Sequence, residues 1–366
     1  MNTLDRVMAE RGNTSGFDYL RLLLAIGVLC IHSFTTSYGR PGEAFLLALP
    51  WRPFYNAVLP MFFALSGFLV AGSYFRTKGI GEFVMLRILR IAPALAVEVF
   101  LCALILGSIF TTLPLVKYFS HPTFWSYFGN LIGWIHFLLP GLFEDNPYNI
   151  VNLSLWTVPY ELECYIAIVA LALLGLLKSR FAVVLLLVVG LIALFVVSFH
   201  GGTPPPGDRL LPHRLLVLSF LSGVLIFLYR DKVVIAPWLT AASSLAMLVV
   251  LNFPVSAQFY PPLVGYATVA LGMSNPRRTF LINTGDYSYG IYLYAFPIQQ
   301  AYVHLASRPE WRLNIVFALP ITICFAVFSW HCVEKHVLKL KKPLFRNERK
   351  HSCETTMRFG RPVISR

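Results

Sequence analysis

Apolar runs recur along the chain from Phe17 to Cys332. Most are about 18 to 23 residues long, the length a helix needs to cross a hydrocarbon core of roughly 30 Å at about 1.5 Å per residue. With 57% hydrophobic, 15% aromatic and only 13% charged residues, the chain has too little polar surface to coat a soluble fold. The fold class that follows is all-α, a polytopic integral membrane protein with the bilayer as its solvent.

Ten spans are predicted, near residues 17–37, 54–75, 88–110, 158–177, 181–199, 211–229, 234–252, 257–274, 287–306 and 312–333. An eleventh stretch, Phe124 to Leu139, is short, broken by Gly129 and Gly133 and closed by Pro140. It suits a re-entrant or interfacial helix better than a full crossing. An even count of ten puts both termini on one side.

Charge says which side. A net charge of +13 would suggest nucleic acid in a soluble chain, but here it sorts by segment. With both termini in the cytoplasm, most of the 30 Lys and Arg fall on cytoplasmic segments: Lys178/Arg180, Arg230/Lys232, Arg277/Arg278 and the tail after Glu334. The longest outer loop, Thr111 to Thr157, holds only Lys117. This is the positive-inside pattern, and no nucleic-acid partner is expected.

The polar segment 1–16 is read as a cytoplasmic lead-in, because the first apolar stretch is too long and too polar inside for a cleaved signal peptide. Residues 17–334 form one membrane domain, with Pro204-Pro205-Pro206 as a stiff hinge between two spans. The basic tail 335–366 lacks apolar periodicity and is expected to be partly disordered near anionic headgroups. Cys30, Cys102, Cys164, Cys324 and Cys332 lie within spans and Cys353 in the tail, so no loop carries a disulfide framework.

Charged residues within spans cost several kcal/mol unless paired or facing a wet cavity, so they mark candidate sites. In the first span Arg21 and His32 are eleven residues apart. That spacing points both the same way, about 16 Å apart along the axis. Asp18, one turn before Arg21, is placed to pair with it. His32 can take a proton from a hydroxyl near neutral pH, although a lone intramembrane His can equally be a core residue bonded to the next helix.

Arg87 and Arg90, at i,i+3 spacing, aim two guanidiniums at one patch, suited to a phosphorylated ligand or to a plain positive-inside anchor. Glu98 lies on the same face, within the bilayer. Glu161 and Glu163 are about 200° apart on their helix, so at most one faces a common cavity. Trp156 and Tyr160 fit an interfacial belt or a binding wall. Asp286 to Tyr294 opens the ninth span with a tyrosine-rich face.

These residues resemble the membrane-bound acyltransferase-3 family, whose bacterial members modify surface polysaccharides and related glycans. The matching motifs are Arg21 and His32, Pro60 through Phe68, Arg87-x-x-Arg90, Trp156 through Glu161, and Ser288-Tyr289-x-x-Tyr292-Leu293. The resemblance implies a ten-helix domain in the bacterial inner membrane that moves an acyl group, acetyl foremost, from cytoplasmic acetyl-CoA to a hydroxyl of a carbohydrate or glycolipid. No metal is implied, membrane lipids are expected neighbours, and a homodimer is left open.

The expected roles follow. His32 acts as general base or acyl carrier, with Arg21 polarising or orienting the site. Arg87, Arg90 and Ser66 hold the coenzyme, while Trp156, Glu161 and Tyr292 hold the acceptor. Family members often carry His where this chain has Tyr294, so no proton transfer is assigned there. The competing class is a carrier or flippase using the polar face of the first helix as a pathway.

Overall fold

The computed structural model describes residues 2–340 apart from 13, 49, 201–213 and 254–258. The Pro204–Pro206 turn, Cys353 and most of the basic tail lie outside the described residues. Among the described residues the regular secondary structure is helical apart from a two-residue antiparallel pairing of Asn2–Thr3 with Val234–Ile235.

A helix underlies each of the ten expected spans. They are α1 Gly16–Tyr38, α2 Arg52–Tyr74, α3 Ile80–Phe110, α4 Val158–Leu173, α5 Arg180–His200, α6 Arg214–Leu228, α7 Pro237–Val250, α8 Pro261–Gly272, α9 Ser288–Leu305 and α10 Trp311–Ser329. Six are long and apolar enough to cross a membrane: α1, α2, α3, α5, α4 with the turn before it, and α10 with its continuation to Lys339. The protein is therefore an integral multi-pass membrane protein.

The other four expected spans are not matched by helices that meet both tests. α6, α7 and α8 have 15, 14 and 12 residues, and twelve residues rise only about 18 Å. Proline sets the starts of α7 and α8, where the missing N–H costs nothing in the first turn. α9 has 18 residues but carries four tyrosines, two glutamines and a histidine, which lower its hydropathy.

The eleventh stretch is a short helix, Pro122–Tyr127, running into a 3₁₀ turn, Phe128–Ile132. Gly133 ends it at φ 82°, a left-handed conformation that glycine adopts without penalty. It is far too short to cross.

The bundle has two chemically distinct ends. At one, Asp5 pairs with Arg230, Arg11 donates to the Met273 carbonyl, and Ser15 Oγ donates to the Pro276 carbonyl. The lead-in segment therefore gathers with the connections after α6 and after α8. At the other end, Tyr55 donates to Glu43, and Asn146 donates to Gln300.

α2 lies against α6 so closely that their backbones touch. A Cβ on Gly67 would sit 1.9 Å from the Phe220 carbonyl oxygen, and one on Gly223 would sit 2.0 Å from that of Ala64. α9 packs between α1 and α10. α5 lies at the edge, with Phe181, Val189, Ile192 and Val197 exposed, as an apolar helix facing lipid should be. The five described cysteines are free.

Candidate active site

Two cavities lie end to end inside the bundle, with Leu59 of α2 and Tyr292 of α9 on the wall of both. The inner one, about 140 Å³, takes in Arg21, Ser66, Arg87, Arg90, Glu161 and Tyr292. The outer one, about 90 Å³, takes in His32, Trp156 and Tyr292. Each residue expected to act on donor or acceptor (Arg21, His32, Ser66, Arg87, Arg90, Trp156, Glu161 and Tyr292) thus lines one chamber or the other.

The arginine end is built around a residue to which the sequence reading gave no role. Asp286, just ahead of α9, receives Arg90 Nη2 at 2.6 Å and Arg21 Nη1 at 3.0 Å on the same oxygen. Ser288 Oγ donates to its other oxygen at 2.6 Å. Burial alone would raise the Asp286 carboxyl, but the Arg90 and Arg21 guanidiniums outweigh it and hold it well below the usual carboxylate range. Asp18 stands 3.8 Å from Arg21, so the expected local pair forms, and it also faces Arg278 at 3.5 Å.

Arg87 is held differently. Its Nη2 donates to Ser73 Oγ at 3.0 Å, and its guanidinium lies over the rings of Phe83 and Tyr165 at 5.7 and 6.0 Å. Its Nε is buried with no hydrogen-bond partner among the described residues. A buried unspent donor on the chamber wall suits an incoming anionic or carbonyl oxygen.

Glu161 also belongs to this end, where Tyr165 donates to it at 2.6 Å. Helical phase is obeyed, for Glu163 points away and pairs with Arg214 at the surface. Trp156 lies five residues earlier, in the 3₁₀ turn Leu153–Thr157, and lines the outer chamber against Tyr160. The two residues read together as an acceptor wall therefore stand in different chambers, because five residues of helix rise about 7.5 Å. Glu43, from the short helix Arg40–Leu47, is the carboxylate of the His32 chamber.

His32 is buried, with its ring edge-on to Phe296 at 5.0 Å between centroids. Gln299 Nε2 donates to the Leu29 carbonyl at 2.8 Å and ties α9 to the same stretch of α1. On the shared wall, Tyr292 Oη lies 2.7 Å from Thr157 Oγ1 and 3.1 Å from the Ser154 carbonyl oxygen.

Glu98 lines neither chamber. Its Oε1 accepts from Asn152 at 2.7 Å, Cys102 at 3.1 Å and Tyr127 at 3.3 Å, and Asn152 also donates to the Leu293 carbonyl at 2.9 Å. It fastens α3 to the turn that carries Trp156, so its sequence phase with Arg87 does not translate into a shared site. Tyr294 is likewise a packing group, 2.7 Å from Ser329 Oγ.

A multi-pass bundle whose core holds two meeting chambers, with arginines on the wall of one and a histidine on the wall of the other, defines a membrane protein with a candidate ligand pocket inside its helices. The chain belongs to the acyltransferase-3 family, matching its Acyltransferase domain over residues 14–331, and it is an acyltransferase. It is 28% identical over 344 residues to an O-acetyl transferase of Shigella phage Sf6, covering 89% of this chain and 97% of that protein. It is 27% identical over 360 residues to Nodulation protein 10 of Rhizobium leguminosarum bv. viciae, covering 91% of this chain and 95% of the relative. No solved structure matches.

Proposed function

We propose that the protein transfers an acetyl group from cytoplasmic acetyl-CoA to a hydroxyl of a carbohydrate or glycolipid, across a domain of ten membrane helices with both termini in the cytoplasm. The observation that carries this is the pair of chambers meeting at Leu59 and Tyr292, with Arg21, Arg87 and Arg90 in one and His32 in the other. That the phage relative is an O-acetyl transferase supports acetyl as the group moved and oxygen as the atom that receives it.

In this reading the donor enters at the arginine end. Arg87, with its unspent Nε, and Arg90 meet the coenzyme phosphates, since fixed guanidiniums match phosphate oxygens. Ser66 lines the passage for the pantetheine arm, and Arg21, steadied by Asp286, orients the donor. The acceptor enters the outer chamber against Trp156.

His32 removes the proton from the acceptor hydroxyl as its oxygen attacks the thioester carbonyl. The tetrahedral intermediate collapses with loss of the thiolate, which takes the proton back from His32, leaving an ester and free CoA. A covalent acyl-His route uses the same imidazole and would show ping-pong kinetics.

The test is titration of the detergent-purified protein with acetyl-CoA, alongside Arg87→Ala/Arg90→Ala and His32→Ala variants, followed by thioester loss with candidate glycans. Wild type should bind, the double Arg variant should lose most affinity, and His32→Ala should bind but transfer at least 100-fold more slowly, the scale of general-base catalysis. A folded wild type that binds no acyl-CoA would sink the donor assignment and bring the carrier reading forward.

A further inference from the structure

We propose that Leu59 and Tyr292 form a fixed throat between the two chambers that admits an acetyl group and turns longer acyl chains away. The inference rests on the donor reading above and adds the residues that choose the acyl group. If the donor enters beside Arg87 and Arg90 while His32 stands in the outer chamber, the acyl carbon must pass the one stretch of wall the chambers share. That stretch is Leu59 and Tyr292.

Tyr292 and the helix that carries Leu59 are both held in place. Tyr292 is 8% exposed. Its hydroxyl is held 2.7 Å from Thr157 Oγ1 and 3.1 Å from the Ser154 carbonyl, and its ring meets Phe62 edge-on at 6.0 Å. Leu59 rides on α2, whose backbone touches α6 at Gly67 and Gly223 with no room even for a methyl group. Widening the passage by sliding α2 outward would break that contact, and packed interiors resist such shifts.

Beyond the throat the space is small. The His32 chamber measures about 90 Å³, less than the roughly 150 Å³ cavity that takes up one benzene. The acyl carbonyl has to meet the attacking hydroxyl of the acceptor in that partly open space, so each added methylene competes with the acceptor for it.

The size rule also predicts the sign of the effect. In an open apolar channel each added methylene would tighten binding by roughly fourfold, so affinity would climb from acetyl to hexanoyl. A closed throat reverses that order.

The experiment measures the affinity of the detergent-purified full-length protein for unacylated CoA, acetyl-CoA, butyryl-CoA and hexanoyl-CoA. It does so for wild type, Leu59→Ala and Leu59→Trp, with unacylated CoA binding as the check on folding. In wild type the acetyl form should bind at least tenfold more tightly than the hexanoyl form. Leu59→Ala should erase most of that difference, and Leu59→Trp should weaken acetyl-CoA towards unacylated CoA.

An affinity that rises with chain length in wild type, or a Leu59→Ala protein that binds CoA normally yet keeps the wild-type preference, overturns the throat while leaving the donor reading intact. A wild type that binds none of the four, CoA included, overturns the donor reading and the throat with it.

Discussion

Replacing Asp286 by Asn removes the carboxylate that Arg90 and Arg21 share, at 2.6 Å and 3.0 Å. The side chains are 23%, 27% and 24% exposed, so the cluster is only partly screened by solvent. Breaking a buried pair costs about 3–5 kcal/mol, and the residual exposure puts Asp286→Asn near the lower figure, about 3 kcal/mol. At roughly 2–4 °C per kcal/mol for chains somewhat shorter than this one, the ligand-free protein should melt several degrees lower than wild type.

The assay is thermal unfolding in detergent with and without saturating acetyl-CoA. Ligand phosphates supply negative charge to the same guanidiniums, so the deficit should shrink when ligand is present, over and above the ordinary stabilisation by binding. Wild-type stability should not depend on this group above about pH 5. With its folded value held below the ordinary 3.8, the contribution is complete above the unfolded value and is lost only as pH falls through the folded one. An unchanged melting temperature for Asp286→Asn would refute the claim that this carboxylate holds the arginines, and an equal deficit with and without ligand would refute their meeting at the donor site.

Three further outcomes follow from particular contacts. Gly67→Ala places a Cβ 1.9 Å from the Phe220 carbonyl, so it should cost at least about 1–3 kcal/mol by overpacking and show as loss of folded protein on size-exclusion chromatography. Asn152→Ala removes the 2.7 Å donor to buried Glu98 and should cost about 1–3 kcal/mol, read as a lowered unfolding temperature. Glu163→Gln breaks only the exposed pair with Arg214 and should stay within about 1 kcal/mol of wild type, with acyl-CoA binding unchanged, whereas Glu161→Gln on the opposite face should alter ligand use.

The sequence carried its helices in plain view because apolar length and the 3.6-residue period are local properties. A helix lies under every run that was long and apolar, and the phase argument separated Glu161 from Glu163 without any knowledge of their neighbours. The same argument misled at Glu98. Its phase with Arg87 is real, but the partner that claims the carboxylate, Asn152, is 54 residues away and invisible to periodicity.

What the sequence determined alone is the solvent: the number and length of its apolar runs leave the bilayer as the only medium, and its few intramembrane charges point to where a polar ligand could be held. Tertiary structure decided which of those charges act together. Asp286 becomes the counter-ion of Arg90 across 196 residues, and Trp156 and Glu161, five residues apart, fall into separate chambers. Periodicity says which way a side chain points along its own helix. Only the packing of one helix against another says what it points at, because that depends on where close-fitting residues such as Gly67 and Gly223 let two backbones meet.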